Sequence, residues 1–425
     1  MPSPAEREAT QTAYAASVNP AWLDVLRQCG LDARPLEAEG CWLRLEDGRR
    51  WLDFVAGYGA AVLGHRPQAL LAGLAEDLFD PAPNLHPLGF SGLAGDLAAE
   101  LLALAGFADG KVLFASTGAE AAEGALKLAR MASGRRRALS FDGGFHGLTL
   151  EATSLAGSDF WRQGLPRSED CAVLPWGDLA AAAAELSRGD VAAVLLEPVQ
   201  GSAGARAWRG EALLELAELC RRHGARLIYD EALSGLGRCG AWFAYQALGA
   251  PAPDMLIAAK GLSGGVLPVS ALLFREDIYQ AVFARPGCAK IHGSTFGGNR
   301  LALCCGLRML SLLRQLDAPA RARERGEALR RRWRGAGLED FELEGVGLML
   351  ALRAGPAAQE RLGEGAAGLL WLQLLQEGAL TAPAAHDAAA LRLLPPLNVA
   401  ETELDFFLKA CRRAIAALEQ EATTS

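Results

Sequence analysis

The sequence predicts an α/β protein, with a large domain built on a mostly parallel sheet covered by helices and a smaller α+β domain beside it. Three observations predict this. Short apolar runs suited to buried strands, such as Val191 to Leu196 and Leu227 to Tyr229, alternate with longer stretches of helical periodicity. At 425 residues the chain exceeds what one hydrophobic core usually holds. From Ala318 the composition shifts to Arg, Glu and Ala. The expected division is an amino-terminal segment over 1–56 that joins the small domain, a large domain over 57–316, and a carboxyl-terminal small domain over 317–425.

Composition excludes several classes of function. Hydrophobic residues at 51% and charged residues at 22% suit an ordinary globular protein. The net charge of −8 is spread along the chain without a basic stripe, which argues against a nucleic-acid partner. No apolar signal core opens the sequence and no apolar run is long enough to span a bilayer, so neither export nor membrane insertion is expected. Nine cysteines, scattered and without CxxC spacing, argue for reduced thiols in a cytoplasm, with neither disulfides nor a metal site. There are only five lysines, Lys111, Lys127, Lys260, Lys290 and Lys409, against 37 arginines, so lysine-dependent chemistry has few candidates.

Along the chain, Asn19 to Leu31 has helical spacing, and the alternating residues around Asp47-Gly48 read as a hairpin. Asp80 to Ala94 is rich in Pro and Gly and reads as a loop, with a helix from Gly95 to Leu104. Lys111 to Ala115 reads as a strand that breaks at Ser116-Thr117-Gly118-Ala119 before a helix from Glu120 to Met131. Such a junction can cradle a phosphate, because free backbone N–H groups and the helix dipole face the anion; an ordinary helix cap is the alternative. Leu139 to Phe141 leads into D-G-G-F-H-G, where Phe145 and His146 could stack on a planar ring or simply pack in the core. Val191 to Leu196 closes on E-P-V-Q-G-S-A-G, beginning at Glu197. A helix from Glu211 to His223, strands at Leu227 to Tyr229, Met255 to Ala259 and Ser270 to Arg275, and a helix from Leu301 to Leu316 follow. The remainder, with Phe341 to Leu352, Ala366 to Gln376 and Glu401 to Glu419, reads as α+β.

Two of these strands each end on one ionisable residue, Asp230 and Lys260. Strand ends on the carboxyl edge of a parallel sheet converge on the crevice where ligands bind. An aspartate and a lysine delivered there suit pyridoxal phosphate, since lysine can form an imine and aspartate can keep the pyridine nitrogen protonated. A buried ion pair is the other reading of the same two residues. Of the five lysines only Lys260 ends a buried run and enters a glycine-rich turn.

The assembled motifs resemble the class III, pyridoxal-phosphate-dependent aminotransferases of fold type I, the ornithine, acetylornithine, 4-aminobutyrate and ω-amine family. The matching segments are W-L-D-F-V-A-G-Y-G-A-A-V-L-G-H-R-P, F-A-S-T-G-A-E-A-A-E-G-A-L-K-L-A-R, G-F-H-G, E-P-V-Q-G-S-A-G, Y-D-E-A-L-S-G-L-G-R-C-G, P-D-M-L-I-A-A-K-G-L-S-G-G, H-G-S-T-F-G-G-N and L-R-L-L-P-P-L, in the family's order from about Trp42 to Ala417. The resemblance implies pyridoxal 5'-phosphate as cofactor, with Lys260 as the Schiff-base lysine of a ping-pong mechanism and Asp230 as the partner of the pyridine nitrogen. It implies that Ser116, Thr117, Gly118 and Ala119 form the phosphate site, that Phe145 and His146 lie at the ring, and that Glu197 and Leu233 line the cofactor. Thr295 is expected to reach the phosphate of a neighbouring subunit in a homodimer with shared sites.

Three departures from the family pattern bear on substrate. Leu148 stands where ornithine, acetylornithine and 4-aminobutyrate members have a carboxylate-clamping arginine, Ser202 where they commonly have a glutamate, and Leu233 where they have a glutamine. Arg392 and the substrate-facing Tyr58 are retained. The expected reaction moves an amino group between an amine or ω-amino compound and an oxo acid, with a single carboxylate on the acceptor favoured. An ornithine or acetylornithine type using glutamate is the alternative within the family, and a non-catalytic binding module on the same fold is the alternative outside it.

Overall fold

The computed structural model describes residues 3–424; Met1, Pro2 and Ser425, at the ends of the two terminal segments, lie outside the described residues. A seven-stranded sheet runs in the spatial order Lys111–Ala115, Ser270–Phe274, Met255–Ala258, Arg226–Asp230, Val191–Leu196, Arg137–Phe141 and Cys171–Leu174. Its pairs are parallel except those of Ser270–Phe274, which is antiparallel to both neighbours. Every residue of Val191–Leu196 is buried, as expected of a strand covered by helices on both faces. The helix Gly118–Ser133 crosses one face on a row of alanines and Leu126 and Leu128, and the helix Gly210–His223 covers the other with Leu213, Leu216 and Cys220.

Beyond the long helix Arg300–Gln315 and the arginine-rich helix Ala318–Arg334, a four-stranded antiparallel sheet forms in the order Phe341–Val346, Met349–Ala354, Asp387–Leu393 and Ala382–Ala384. The helices Ala366–Gln376 and Glu401–Thr424 pack beside it. The two ends of the chain also share a sheet, because Arg50–Asp53 pairs in parallel with Ala379–Leu380. Asp47-Gly48 turns the predicted hairpin between Trp42–Leu45 and Arg50–Asp53, with Gly48 at a φ of 89° that a side chain would strain.

Some elements differ from the sequence reading for identifiable reasons. The helix expected from Gly95 starts at Gly92, because the Ser91 hydroxyl caps it by accepting from the Ala94 N–H at 3.4 Å. The helix expected to reach Leu31 stops at Gln28, where Gly30 turns left-handed at φ 68°. Phe341 to Leu352 is a hairpin that turns at Gly347, where a Cβ would come within 2.6 Å of the Arg238 carbonyl. The helices Pro4–Ser17, Gln68–Phe79 and Leu179–Leu186 were not anticipated; the last is an alanine run that carries no periodic signal.

Leu256 lies fully buried in the strand Met255–Ala258 at the middle of the large sheet. Leu256→Ala is expected to destabilise the protein by ~2–5 kcal/mol, read as a lowered urea midpoint, whereas Leu214→Ala on the exposed face of its helix leaves the midpoint in place.

Candidate active site

The carboxyl ends of the parallel strands bring the predicted residues to one edge of the sheet. Ser116 follows Ala115, Phe145 and His146 follow the strand ending at Phe141, Glu197 follows Leu196, Asp230 ends its own strand, and Lys260 lies two residues past Ala258. In the parallel register Asp230 stands beside Ile257, three residues before Lys260. Lys260 opens a single 3-10 turn in the left-handed region, at φ 44°, and Tyr58 shares that conformation at φ 54°. Non-glycine residues held there store backbone strain, which concentrates at functional sites.

Asp230 is buried, and its two oxygens are held from one side. Oδ2 accepts from His146 Nδ1 at 2.9 Å and Oδ1 from the Ala232 N–H at 3.1 Å. A carboxylate can only accept, so the His146 hydrogen is on Nδ1. Burial pushes the Lys260 ammonium below the usual lysine range, against the opposing pull of Asp230 and Glu197. Among the other lysines, Lys111 binds Glu276, Lys127 donates to the Ile291 carbonyl and Lys290 to that of Pro87, so three are committed elsewhere. Glu197 holds the loop that carries Phe145 and His146, accepting from the N–H groups of Phe145 at 3.0 Å and Gly201 at 3.3 Å.

The helix after Lys111–Ala115 begins with a reciprocal cap. Thr117 Oγ1 accepts from the Glu120 N–H at 3.1 Å, while the Glu120 carboxylate accepts from the N–H groups of Ser116 and Thr117 at 2.6 and 3.2 Å. Of the four candidates for an anion cradle, Ser116 and Thr117 thus have their amides satisfied by Glu120, and the amides of Gly118 and Ala119 remain for a ligand. A Cβ on Gly118 would lie 3.6 Å from that of Ala232 and 3.7 Å from that of Ala259, so the cradle sits directly against the segments that carry Asp230 and Lys260. Gly147 presses on Ala119, and a Cβ there would meet the Ala119 Cβ at 2.5 Å.

Arg392 lies over the Tyr58 ring at 4.9 Å and donates through Nε to the Pro383 carbonyl at 3.1 Å. It forms no ion pair with a carboxylate among the described residues. Ser202, buried nearby, engages this region through its backbone carbonyl rather than an acid. Leu148 is well exposed beyond Gly147, and Thr295 is exposed in the loop before Arg300. Leu233 is 9% exposed in an apolar cluster with Val199, Met349 and Leu394, its branched end wedged between Gly59 and Gly201, where added Cβ atoms would clash at 2.4 and 2.3 Å. Its side chain packs in this apolar cluster.

Sequence reasoning missed several contributors. Ser270 Oγ donates to the Thr117 carbonyl at 2.7 Å and ties the antiparallel strand to the cradle. Glu120 completes a T-x-x-E capping pattern that is visible in the sequence from Thr117. Trp161, edge-on to Phe145 with ring centroids 5.4 Å apart, carried no motif signal.

This donor set fits pyridoxal phosphate. Two free amides at a helix N terminus suit a phosphate, a buried carboxylate backed by a histidine suits a protonated ring nitrogen, and an amine kept below its usual pKa suits a reactive lysine.

Comparison with known proteins agrees. The profile of the class-III aminotransferases matches residues 31–415, and the chain belongs to that family. It is 34% identical to the acetylornithine aminotransferase of Bacillus subtilis over 384 residues, covering 89% of this chain and 94% of that one. The ornithine aminotransferase of Toxoplasma gondii superposes with a TM-score of 0.83 at 26% identity over 98% of this chain and 99% of that one. An amine transaminase from an uncultivated Pseudomonas species, solved in its PLP-bound form, superposes with a TM-score of 0.80 at 28% identity over 91% of this chain and 95% of that one. The protein is a pyridoxal-phosphate-dependent class III aminotransferase with the fold type I architecture.

Glu231, next to Asp230, is buried and accepts from the N–H groups of Ala244 and Tyr245 and from the Ser234 hydroxyl. Burial nevertheless raises its pKa to about 7. The unfolded chain releases this proton near the ordinary value and the folded one only near 7, so the group's contribution is full below the ordinary value and is lost as pH rises through about 7. Glu231→Gln is expected to be more stable relative to wild type at pH 8 than at pH 4, by up to ~3 kcal/mol, in thermal denaturation of both forms across that range.

Proposed function

We propose that the chain transfers an amino group between an amine or ω-amino donor and an oxo acid with one carboxylate, at a site centred on Lys260 and Asp230 and completed by a second copy of the chain. The observation that carries the substrate reading is Arg392, stacked on Tyr58 with no carboxylate partner among the described residues and free to take that of an acceptor. Leu148 offers a second carboxylate no charged or hydrogen-bonding partner. The loop from Gly201 supplies no glutamate to mask Arg392, since Ser202 stands there.

When bound, pyridoxal phosphate supplies an electron sink for the carbanion formed at the substrate carbon. The protein's part follows from its side chains. Gly118 and Ala119 would hold the phosphate by their amides. Asp230, oriented by His146 and Ala232, would hold a proton on the ring nitrogen. Lys260 would bind the cofactor and would hold or move a proton at its Nζ; burial, by lowering its pKa, raises the fraction of neutral amine able to accept one. Phe145 would pack against the ring. With both Lys260 and Asp230 in place, a binding module without catalysis has no support.

A homodimer accounts for an exposed apolar surface. Leu78, Phe79, Leu85, Leu88 and Phe90 are exposed in and before the loop that follows Phe79, and Phe296 is exposed beside Thr295. The two loops are joined, since Asn84 accepts from the N–H groups of Arg300 and Leu301 at 2.9 Å. A patch of this kind calls for a partner surface, and Thr295 would enter the partner's phosphate site with it. Nine free thiols support a cytoplasmic location, and among the described residues no helix is long and apolar enough to cross a membrane.

Borohydride treatment of the cofactor-loaded protein, followed by peptide mapping, is expected to mark Lys260; a mark on any other lysine overturns the assignment. Thr295→Ala is expected to lose cofactor on dilution more readily than wild type, with sedimentation reporting a dimer that separates as it does so. Leu148→Arg is expected to shift preference from pyruvate toward 2-oxoglutarate, and Arg392→Ala to impair the oxo-acid half-reaction by ~10-fold or more while sparing the amine half-reaction, each followed in single turnover. A wild type that strongly prefers 2-oxoglutarate, with no further gain in Leu148→Arg, favours the second reading, an ornithine or acetylornithine type that binds its second carboxylate elsewhere.

A further inference from the structure

His386 occupies the turn between the strands Ala382–Ala384 and Asp387–Leu393 and reaches across to the large sheet's loops through three hydrogen bonds. Its backbone N–H donates to the Ser202 carbonyl at 2.8 Å. Its ring Nδ1 lies 3.0 Å from the Gly143 carbonyl, and its Nε2 lies 2.7 Å from Trp161 Nε1. An indole N–H can only donate, so Nε2 must present its lone pair. The single hydrogen of the neutral ring is then on Nδ1, where it donates to Gly143. Each ring contact therefore fixes the tautomer that the other requires.

The two sides of this contact belong to different parts of the site. Gly143 is two residues before Phe145, and Trp161 stands edge-on to the Phe145 ring. On the other side, His386 is one residue before the strand that carries Arg392, and Arg392 Nε is bonded back to Pro383 on the paired strand of the same turn. The imidazole thus joins the loop beneath the cofactor ring to the strand that presents the guanidinium.

We propose that His386 is a positioning residue of the transamination site: its neutral Nδ1–H form latches the Arg392 strand to the Gly143–Phe145 loop and holds Trp161 as the wall beside Phe145. The proposal rests on the reading that Arg392 takes the acceptor's carboxylate. Protonation of Nε2 would set two N–H groups face to face and release Trp161. Burial favours the neutral ring, and the Gly143 carbonyl and Asp142 favour the charged one, opposed by Arg392 and Arg206. The adjacent Asp387 is paired with Arg353.

The test uses the full-length, cofactor-loaded protein with His386→Phe, Trp161→Phe and the double variant. Trp161→Phe keeps an aromatic ring against Phe145 and removes the indole N–H together with one of the two fused rings, and the acid dependence of KM, which lost packing alone would not abolish, decides the question even if His386→Phe folds poorly. Both single variants are expected to raise KM for the oxo acid by about tenfold, with kcat less affected, as one lost hydrogen bond can do. The double variant should be no worse than the worse single one, because both remove the same contact. Amide exchange should quicken in 143–147 and in 382–393 together. In wild type the oxo-acid KM should rise on acidification, and in Trp161→Phe that rise should be absent. Unchanged exchange in either segment overturns the latch. Faster exchange with an unaltered KM overturns the positioning role, and a failure of the Arg392 reading itself shows separately, as an Arg392→Ala variant that still uses the oxo acid at the wild-type rate.

Discussion

The parallel pairing of Arg226–Asp230 with Met255–Ala258 is the constraint on which the site depends. Backbone hydrogen bonds fix the register to the residue, and a shift of one would turn each side chain to the opposite face. Asp230 can therefore end its strand facing the crevice only while Ile228 and Tyr229 stay buried, and Lys260 then follows on the adjoining strand end. Val191–Leu196 on one side and the antiparallel Ser270–Phe274 on the other clamp this pair. Ser270 extends the clamp to the helix N terminus at Gly118 through the Thr117 carbonyl, so sheet register links the segments that carry Gly118, Asp230 and Lys260.

That unit carries an unusual concentration of buried acid. Asp230, Glu197 and Glu231 lie within a short span of sheet edge, and burial raises both Glu197 and Glu231 to about 7. Backbone N–H groups, with the Ser234 hydroxyl at Glu231, rather than cations, bond the two glutamates, which turns them into braces for loops: Glu197 for Phe145 and Gly201, Glu231 for the short helix at Ala244. Arg238, fully buried, does the converse by donating to the carbonyls of Leu348 and Pro395. Two of its nitrogens have no partner, and burial lowers its pKa to about 10. A charge held this way is costly to move, and it anchors the segment leading from Arg392 to the loop that leaves Asp230.

The fold, and the placement of Asp230 and Lys260 at one sheet edge, were legible in the sequence for a physical reason. A buried parallel strand is a continuous apolar run, so the first polar residue after it marks the edge where ligands bind, which singles out Asp230 and Lys260, whereas a role for Glu197 came only from the family resemblance. The strand, small polar turn and helix around Ser116 to Ala119 read from the sequence as either a helix cap or a phosphate cradle, and the structure shows the reciprocal Thr117–Glu120 cap, which leaves the amides of Gly118 and Ala119 free. Contacts between distant segments were not legible. Trp161 and His386 are 225 positions apart, and nothing local in either marks the other. Leu233 looked like a lost polar contact, yet Gly59 and Gly201 leave the space it fills, a complementarity visible only when three loops are brought together. The alanine helix Leu179–Leu186 and the early turn of the helix at Gly92 escaped because caps and uniform runs leave no period.

The distribution of amines has a further consequence. Guanidinium groups stay protonated and do not act as nucleophiles at ordinary pH, so 37 arginines can pair with the chain's 50 acidic residues without adding groups reactive toward aldehydes. Of the four lysines outside the site, three are held by Glu276 or by backbone carbonyls. A carbonyl reagent in solution therefore meets few competing lysine amines, with Lys127, Lys290 and Lys409 the exposed ones.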